Sequence, residues 1–515
     1  MAELNFGRLL RRSRLYALDV AVKDLGTGHE ATYAEHLERV ARLSAAIAAL
    51  GVGPTDRVAV LAGSSHVYVE LWHACLAGAA VINPLNQRLS PDELVYILDD
   101  SSSEVIFVDA DFAPVVETIR HRLPALRSVV LIGDGDVACD ARLDDLLAAT
   151  PTAALPPEPA DDAPAVLMYT GGTTGLPKGV VLSQQAIVLS IYRMQSVVDV
   201  GLTQHYLAFM PMFHIGGIAS WGLYLPCGGR VVILPGFEPG AVNAAVRDEG
   251  ITSIGAVPTM LAFMLAHPDF DEAMLSSLEL VMYGAAPMPP PLLGRLMELY
   301  PDIAFHQAYG MTEICAIGTG LTRADHVRGG EILASVGRPM LGVDLEIRDP
   351  DTGEPTAQGE VGEIWLRADS IMTEYWNKSE QTAASLVDGW YRSGDAARLD
   401  ERGYVFLADR VKDMIVTGGE NVYSLEVENA ISPHPAVSHV AVVGVPDDTW
   451  GERVHAVVVC EPGSVTVEEL ETMARAKIAG FKVPRSWTLQ SEPLPLSAAG
   501  KVLKRDLRDR LTSDS

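Results

Sequence analysis

Tyr169-Thr170-Gly171-Gly172-Thr173-Thr174-Gly175-Leu176-Pro177-Lys178-Gly179 follows the apolar run from Ala165 to Met168, and the reading of the whole chain turns on it. An apolar run ending in hydroxyls, glycines and one lysine predicts a buried strand that opens into a loop built to meet an oxyanion, phosphate above all. Glycines let backbone N–H groups approach closely and turn inward, threonine hydroxyls add donors, and Lys178 adds a full positive charge. A Walker loop would need glycine just before the lysine and a hydroxyl residue just after it. Here Pro177 precedes Lys178 and Gly179 follows, and proline has no N–H to donate, so this is a different phosphate loop. Taken alone, the stretch also fits a Gly/Thr-rich hairpin turn with an incidental lysine.

Two strand-loop units follow the same logic downstream. Leu278 to Tyr283 opens into Gly284-Ala285-Ala286-Pro287. A helix around Leu292 to Leu299 intervenes, and Ile303 to Ala308 then opens into Tyr309-Gly310-Met311-Thr312-Glu313. Strand, helix and strand make a right-handed crossover, which puts both loops at the same C-terminal edge of a parallel sheet, where ligands bind. The first loop is small enough for a flat base to lie against its backbone. In the second, Tyr309 can stack on the base, Thr312 can donate to a phosphate oxygen, and Glu313 can hold a hard cation such as Mg²⁺. A capped turn is the plainer alternative.

These stretches, in this order, resemble the superfamily of adenylate-forming enzymes that includes acyl-CoA synthetases, firefly-type luciferases and peptide-synthetase adenylation domains. Gly171 stands where the usual loop has serine, a variant shared with fatty acyl-CoA synthetases. The resemblance implies an ATP site built from Thr170, Gly171, Gly172, Thr173, Thr174, Gly175, Lys178, Gly284, Ala285, Ala286, Tyr309, Gly310, Met311 and Thr312, with Mg²⁺ on Glu313. It implies that Asp395, in Gly389-Trp390-Tyr391-Arg392-Ser393-Gly394-Asp395, and Arg410 hold the ribose; a carboxylate suits a vicinal diol because it offers two acceptor oxygens side by side. Lys412 would be the hinge, Gly418, Gly419 and Glu420 would line the pantetheine tunnel of CoA, and Lys501 in the last loop would be the adenylation lysine. Thr312, Glu313, Lys178 and Lys501 would carry the chemistry. His214, in Pro211-Met212-Phe213-His214-Ile215-Gly216-Gly217, would line the acyl pocket with Gly284 and Met311; a satisfied core histidine is the plainer reading of that imidazole. Ser424 stands where the family more often has proline. The activity implied is ATP-dependent joining of a carboxylic acid, a fatty acid in the first instance, to CoA. Transfer to a carrier-protein thiol, or an aryl or sterol-side-chain acid, are the alternatives.

Composition fits this reading. A chain of 515 residues, 48% hydrophobic and 21% charged, is globular and too long for one ordinary core. The expectation is α/β, with a large N-terminal part (1–410) of layered subdomains and mostly parallel sheets, a surface linker near 152–164, and a small mobile α+β part (411–515). The 67 Asp and Glu against 39 Lys and Arg give a formal charge of −28, which argues against an extended nucleic-acid surface. Five scattered cysteines without C-x-x-C spacing point to a reduced cytoplasmic protein without a structural zinc. No stretch predicts a membrane span. Leu9, Leu10 and Leu15 among Arg8, Arg11, Arg12 and Arg14 fit either a membrane-surface helix or an amphipathic helix packed on its own domain. Monomer and homodimer both stay open.

Overall fold

The computed structural model describes residues 4–151, 154–171, 176–198, 200–410, 413–418, 420–447, 449–495 and 502–513. Two large sheets dominate. One has eight strands, in the order Glu374–Tyr375, Lys178–Ser183, Pro164–Thr170, Val81–Pro84, Arg57–Leu61, Val105–Asp109, Ser128–Ile132, Ala141–Arg142. The other has nine, in the order Arg338–Pro339, Thr319–Leu321, Ala304–Tyr309, Leu280–Gly284, Ser253–Ala256, His205–Ala208, Arg230–Ile233, Val20–Asp24, Glu30–Thr32. From Ala304–Tyr309 to Val20–Asp24 the nine-stranded sheet is parallel throughout.

Alternation along the strands explains the layering. Val58, Val60, Val105 and Phe107 enter one core with Tyr206, Val231 and Trp221, while Ala59, Leu61, Ile106 and Val108 enter another with Leu94 and Val116. Leu207, Val232, Ile254 and Phe305 face a third, under the helices Pro239–Asp248, Pro258–Ala266 and Pro290–Leu299. Side chains at i and i+2 share a face, so each sheet is covered on both sides, the usual condition of parallel strands.

Local signals hold where they are strong. Ser90 and Glu93 form a capping box, with proline at the first turn of Pro91–Asp100. Helix Phe6–Arg12 buries Leu9 and Leu10 on its own domain, but Leu15 stays 72% exposed. No helix among the described residues is long and apolar enough to cross a membrane. All five cysteines are free thiols.

Segment 152–164 leads into Pro164–Thr170, which pairs in parallel with Val81–Pro84. Strands before and after the segment thus share one sheet, and its described part, 154–164, is fastened at two points: Arg11 donates to the Pro156 carbonyl, and Asp161 accepts from the Leu4 N–H at 2.7 Å. A third, antiparallel sheet comes from Asp344–Arg348, Gly362–Arg367, Leu386–Val387, Trp390–Leu399 and Val405–Arg410, an element that the sequence pattern does not announce. The small C-terminal domain has its own sheet, with His439–Asp447 and Gly451–Val459 central, and its own core around Ile415, Val427, Val442 and Val458. Thr466 and Glu469 cap the helix Val467–Arg475.

Candidate active site

The glycine-rich stretch joins two antiparallel strands. Pro164–Thr170 and Lys178–Ser183 pair in a register that sets Thr170 opposite Lys178, so the turn is a hairpin and Lys178 opens its return strand. This corrects the expectation that Lys178 lies within the loop: pairing with Thr170 fixes its backbone. Gly172, Thr173, Thr174 and Gly175 lie outside the described residues. On its far side the return strand pairs with Glu374–Tyr375, setting Tyr375 opposite Val180. The Lys178 ammonium sits over the Tyr375 ring, 4.7 Å from its centroid.

The two parallel loops emerge together as expected, since Leu280–Gly284 and Ala304–Tyr309 are in-register neighbours. Glycine is obligatory twice here: a Cβ at Gly284 would collide with the Ala308 carbonyl oxygen, and one at Gly310 with that of Ala316. The backbone is held in unfavourable regions at three non-glycine residues, Ala285 (φ 65°), Cys315 (φ 57°) and Ala316 (φ 85°). Such conformations persist only where the surroundings over-determine them.

Those surroundings can be named. From helix Gln184–Gln195, which follows the hairpin directly, Ser190 donates to the Cys315 carbonyl at 2.6 Å. Arg193, 4% exposed, donates to the carbonyls of Ile317 (2.9 Å) and Leu341 (3.1 Å) and to the Ser370 hydroxyl (3.0 Å). Burial pushes the Arg193 pKa down, yet a guanidinium keeps its charge in a protein.

Thr312 is buried and Glu313 half-buried in the turn Thr312–Ile314. Glu313 Oε1 accepts from the Tyr375 hydroxyl at 2.9 Å. Burial, and then the Glu313 charge, push the Tyr375 phenol up, so it remains a donor. Tyr391 stands in the same group: burial first, then the charge of Glu313, raise its phenol, and Asp395 adds to this. Asp395 lies inside Trp390–Leu399, not in a turn; its Oδ2 accepts from the Tyr309 hydroxyl at 2.8 Å, and it pairs directly opposite Arg410 across the antiparallel sheet. The two ribose candidates are therefore neighbours through backbone register. Tyr309 itself is 8% exposed, so little of its ring is left for an adenine.

Lys178, Glu313, Tyr309 and Asp395 are thus brought to one place where three sheets meet. Tyr375 and Tyr391 join them, and sequence reading missed their part. Tyr391 lies inside the quoted Gly389–Asp395 motif, whereas Tyr375 is marked only by the aromatic pair Tyr375-Trp376 between strands.

His214 caps helix Ile215–Tyr224, its Nδ1 accepting from the Gly216 N–H at 3.2 Å. Beside Cys315 a cavity of about 10 Å³ is walled by Ile187, Ser190, Ile191, Ile215, Ile218 and Cys315. The expected pocket residues His214, Gly284 and Met311 are not among these walls, although Ile215 adjoins His214. A larger groove, about 280 Å³ between Arg14, Leu37, Ala41 and Leu155, takes in none of the motif residues.

Gly418 begins the tight turn between Ile415–Thr417 and Glu420–Val422, with Thr417 opposite Glu420. Its φ of 62° and a Cβ position 2.9 Å from the Trp450 ring both require glycine, and Glu420 is exposed. Ser424 is the first residue of helix Ser424–Ile431, the position that tolerates proline best, and its hydroxyl accepts from Lys504, which also pairs with Glu428 at 2.7 Å. Gly419, Lys412 and Lys501 lie outside the described residues, as does the Arg410 side chain.

Residues 11–376 match the AMP-binding enzyme family, and residues 426–501 match the AMP-binding enzyme C-terminal domain. The chain belongs to the AMP-binding enzyme family. It is 38% identical over 509 residues to a feruloyl-CoA synthase from Amycolatopsis sp, covering 97% of this chain and 98% of that one. It is 36% identical over 493 residues to the fatty acid–[acyl-carrier-protein] ligase ScoC of Streptomyces coeruleorubidus, covering 95% and 93%. A solved structure of a Mycobacterium tuberculosis fatty acyl CoA synthetase superposes with a TM-score of 0.79 at 31% identity, covering 99% of both chains. This AMP-binding enzyme is an AMP-forming acid–thiol ligase of the class that uses ATP, Mg²⁺ and CoA. Glu313 fits the metal's preference: a carboxylate offers about four acceptor positions, so the Tyr375 hydroxyl and a hard cation can share it.

Proposed function

We propose that this enzyme joins an apolar monocarboxylic acid, a fatty acid in the first instance, to CoA through an acyl-adenylate. The observation that carries the substrate class is the cavity beside the Thr312–Glu313 turn, whose walls are four isoleucines with Ser190 and Cys315 and include no charged side chain. An amino acid or a dicarboxylate would bury a second charge there without a partner, at a cost of several kcal/mol. An uncharged tail meets no such penalty.

A carboxylate resists attack by a thiol because its leaving group would be oxide. In the reading proposed, the acid's carboxylate oxygen attacks the α-phosphorus of ATP and the bond to pyrophosphate breaks. Charge grows on the phosphoryl oxygens, where Thr170, Lys178, Thr312 and Lys501 stabilise it. Mg²⁺ held at Glu313 would supply further neutralisation of phosphate charge. Asp395 and Arg410 hold the ribose, and the Gly284–Ala286 backbone lies against the adenine. The CoA thiolate then attacks the acyl carbon, and AMP leaves with the electron pair of the broken C–O bond. Lys501 and the Gly418 turn both belong to the small domain, so rotation about Lys412 would exchange them.

An aryl acid is the second reading, favoured by the 38% identity to a feruloyl-CoA synthase. About 10 Å³ holds no more than a single water, so an aliphatic chain and an aryl ring alike require Ile187, Ile191 or Ile218 to give way. ATP–pyrophosphate exchange across aliphatic acids of graded length and aryl acids tests the assignment. Exchange with aryl acids alone removes the fatty-acid reading. Acyl-AMP that accumulates unchanged in the presence of CoA transfers the acceptor role to a carrier-protein thiol.

A further inference from the structure

Far from the nucleotide motifs, at the opposite end of the nine-stranded sheet, strand Val20–Asp24 turns into Glu30–Thr32 beside the start of helix His66–Ala74. Val20–Asp24 is five strand positions from Ala304–Tyr309, roughly 24 Å at the usual inter-strand spacing. Here His29, His66 and Glu70 each bring one ligating atom within 4.8 Å of the others.

The surroundings of this group are those of a metal ligand set. Asp24, 1% exposed, accepts from His66 Nδ1 at 2.9 Å and from the His66 N–H at 3.0 Å, and its other oxygen is held by the N–H groups of Gly26 and Thr27. A carboxylate that takes the Nδ1 proton fixes the tautomer and presents Nε2 as a lone pair, the outer-sphere arrangement found behind metal-binding imidazoles. Glu70 lies one turn on from His66, hence on the same helix face, and its carboxylate is oriented by Arg39 through Nε (2.7 Å) and a terminal nitrogen (3.0 Å). Each carboxylate oxygen keeps a second lone pair. The His29 ring stacks on His66 with centroids 3.9 Å apart, and its Nε2 is buried with no hydrogen-bond partner among the described residues. A bound cation would give that nitrogen a partner.

We propose that His29, His66 and Glu70 form a site for a borderline first-row divalent ion, of which Zn²⁺ is the test case. Two imidazoles and one carboxylate suit such ions and not Mg²⁺ or Ca²⁺, and a fourth position is left for water. No thiolate is involved, so the site is of a different kind from the cysteine zinc centre that the sequence spacing excludes. Binding draws the near-parallel rings out of their stack, because each lone pair lies in its ring plane. The ion ties the Val20–Thr32 hairpin of the nine-stranded sheet to the helix that follows Arg57–Leu61 of the eight-stranded sheet. Its effect falls on stability by mass action.

The test uses the full chain stripped with a chelator, then titrated with Zn²⁺ or with Co²⁺ as a visible reporter. The expected result is one tight equivalent after desalting, Co²⁺ absorption bands of a four- or five-coordinate site, and a Tm that rises with Zn²⁺. His29→Ala should weaken binding by more than the roughly 10- to 100-fold that loss of an outer-sphere partner costs, and abolish the Tm rise. Far-UV circular dichroism of the stripped variant checks its fold, and His29→Gln serves if His29→Ala does not fold. Wild-type protein that retains no stoichiometric metal overturns the proposal whatever the variants do. So do identical Co²⁺ affinity and spectrum in wild type and variant.

Discussion

The pair formed by Tyr309 and Asp395 allows the proposed ribose site to be tested by a double-mutant cycle. Tyr309→Phe keeps the ring and its packing and removes one hydroxyl, which donates to Asp395 Oδ2 at 2.8 Å. A hydrogen bond to a charged group is worth about 1.5–3 kcal/mol, and because Asp395 is only half-buried the lower end applies, about 1.5 kcal/mol or slightly more than a tenfold loss. That loss should appear in kcat/KM for ATP in pyrophosphate exchange, since an untethered carboxylate spends part of its time turned away from the diol. Asp395→Ala removes the ribose acceptors themselves and should cost more, about 10²-fold in apparent ATP affinity if both bonds are lost. In the double mutant the Tyr309 hydroxyl has no carboxylate to orient, so its removal should add less than about 0.5 kcal/mol. Additive single effects in folded proteins would falsify the idea that Tyr309 acts through Asp395.

Tyr375→Phe should lower adenylation about tenfold by releasing the Glu313 carboxylate, while thioester formation from supplied acyl-AMP stays near wild type; equal loss in both half-reactions would place Tyr375 in the fold alone. Lys501→Ala should lose adenylation by about 10²-fold or more and keep the second half-reaction, as measured by single-turnover kinetics on each; a joint loss contradicts the exchange of domain poses. Gly284→Ala should abolish ATP binding or folding, because the new methyl meets the Ala308 carbonyl; near-normal exchange activity would refute the close packing of the two parallel strands. His306 is buried, and burial, then the charge of His326, pushes its pKa down to about 4 from 6.5. The folded-state value lies below the unfolded one, so this contribution is complete above pH 6.5 and is lost as the pH falls from there toward 4, by up to about 1.4 kcal/mol per pH unit. Calorimetry of His306→Phe should show a flatter fall in Tm over that window, and an unchanged slope would assign the acid lability elsewhere.

The loops at strand ends were legible because their chemistry is local. Gly284, Gly310 and Gly418 are where a Cβ cannot fit, and Tyr309, Glu313 and Asp395 sit in short motifs whose order survives any insertion between them. What the sequence did not disclose depends on pairing between distant segments. Tyr375 reaches Lys178 because a short edge strand adds to the hairpin, and Asp395 faces Arg410 because of a register in a sheet the periodicity did not reveal. Arg193 and Ser190 stand in no motif, and they hold carbonyls more than a hundred residues away. Strand-then-loop and hairpin are both compatible with the motif's residues, and the return strand Lys178–Ser183, which begins inside the motif, decides for the hairpin.

Helix Gln184–Gln195 gives the protein engineer two separable sets of handles. Ile187 and Ile191, one turn apart, wall the cavity with their side chains, so on the proposed reading trimming them to valine or alanine would enlarge the space offered to an acid tail. Arg193 and Ser190 hold the carbonyls of Cys315 and Ile317, just after the Thr312–Glu313 turn, so a library that varies them alongside the isoleucines would change the support of the turn together with the cavity. Repertoires meant to change acid preference are best confined to 187, 191, 215 and 218.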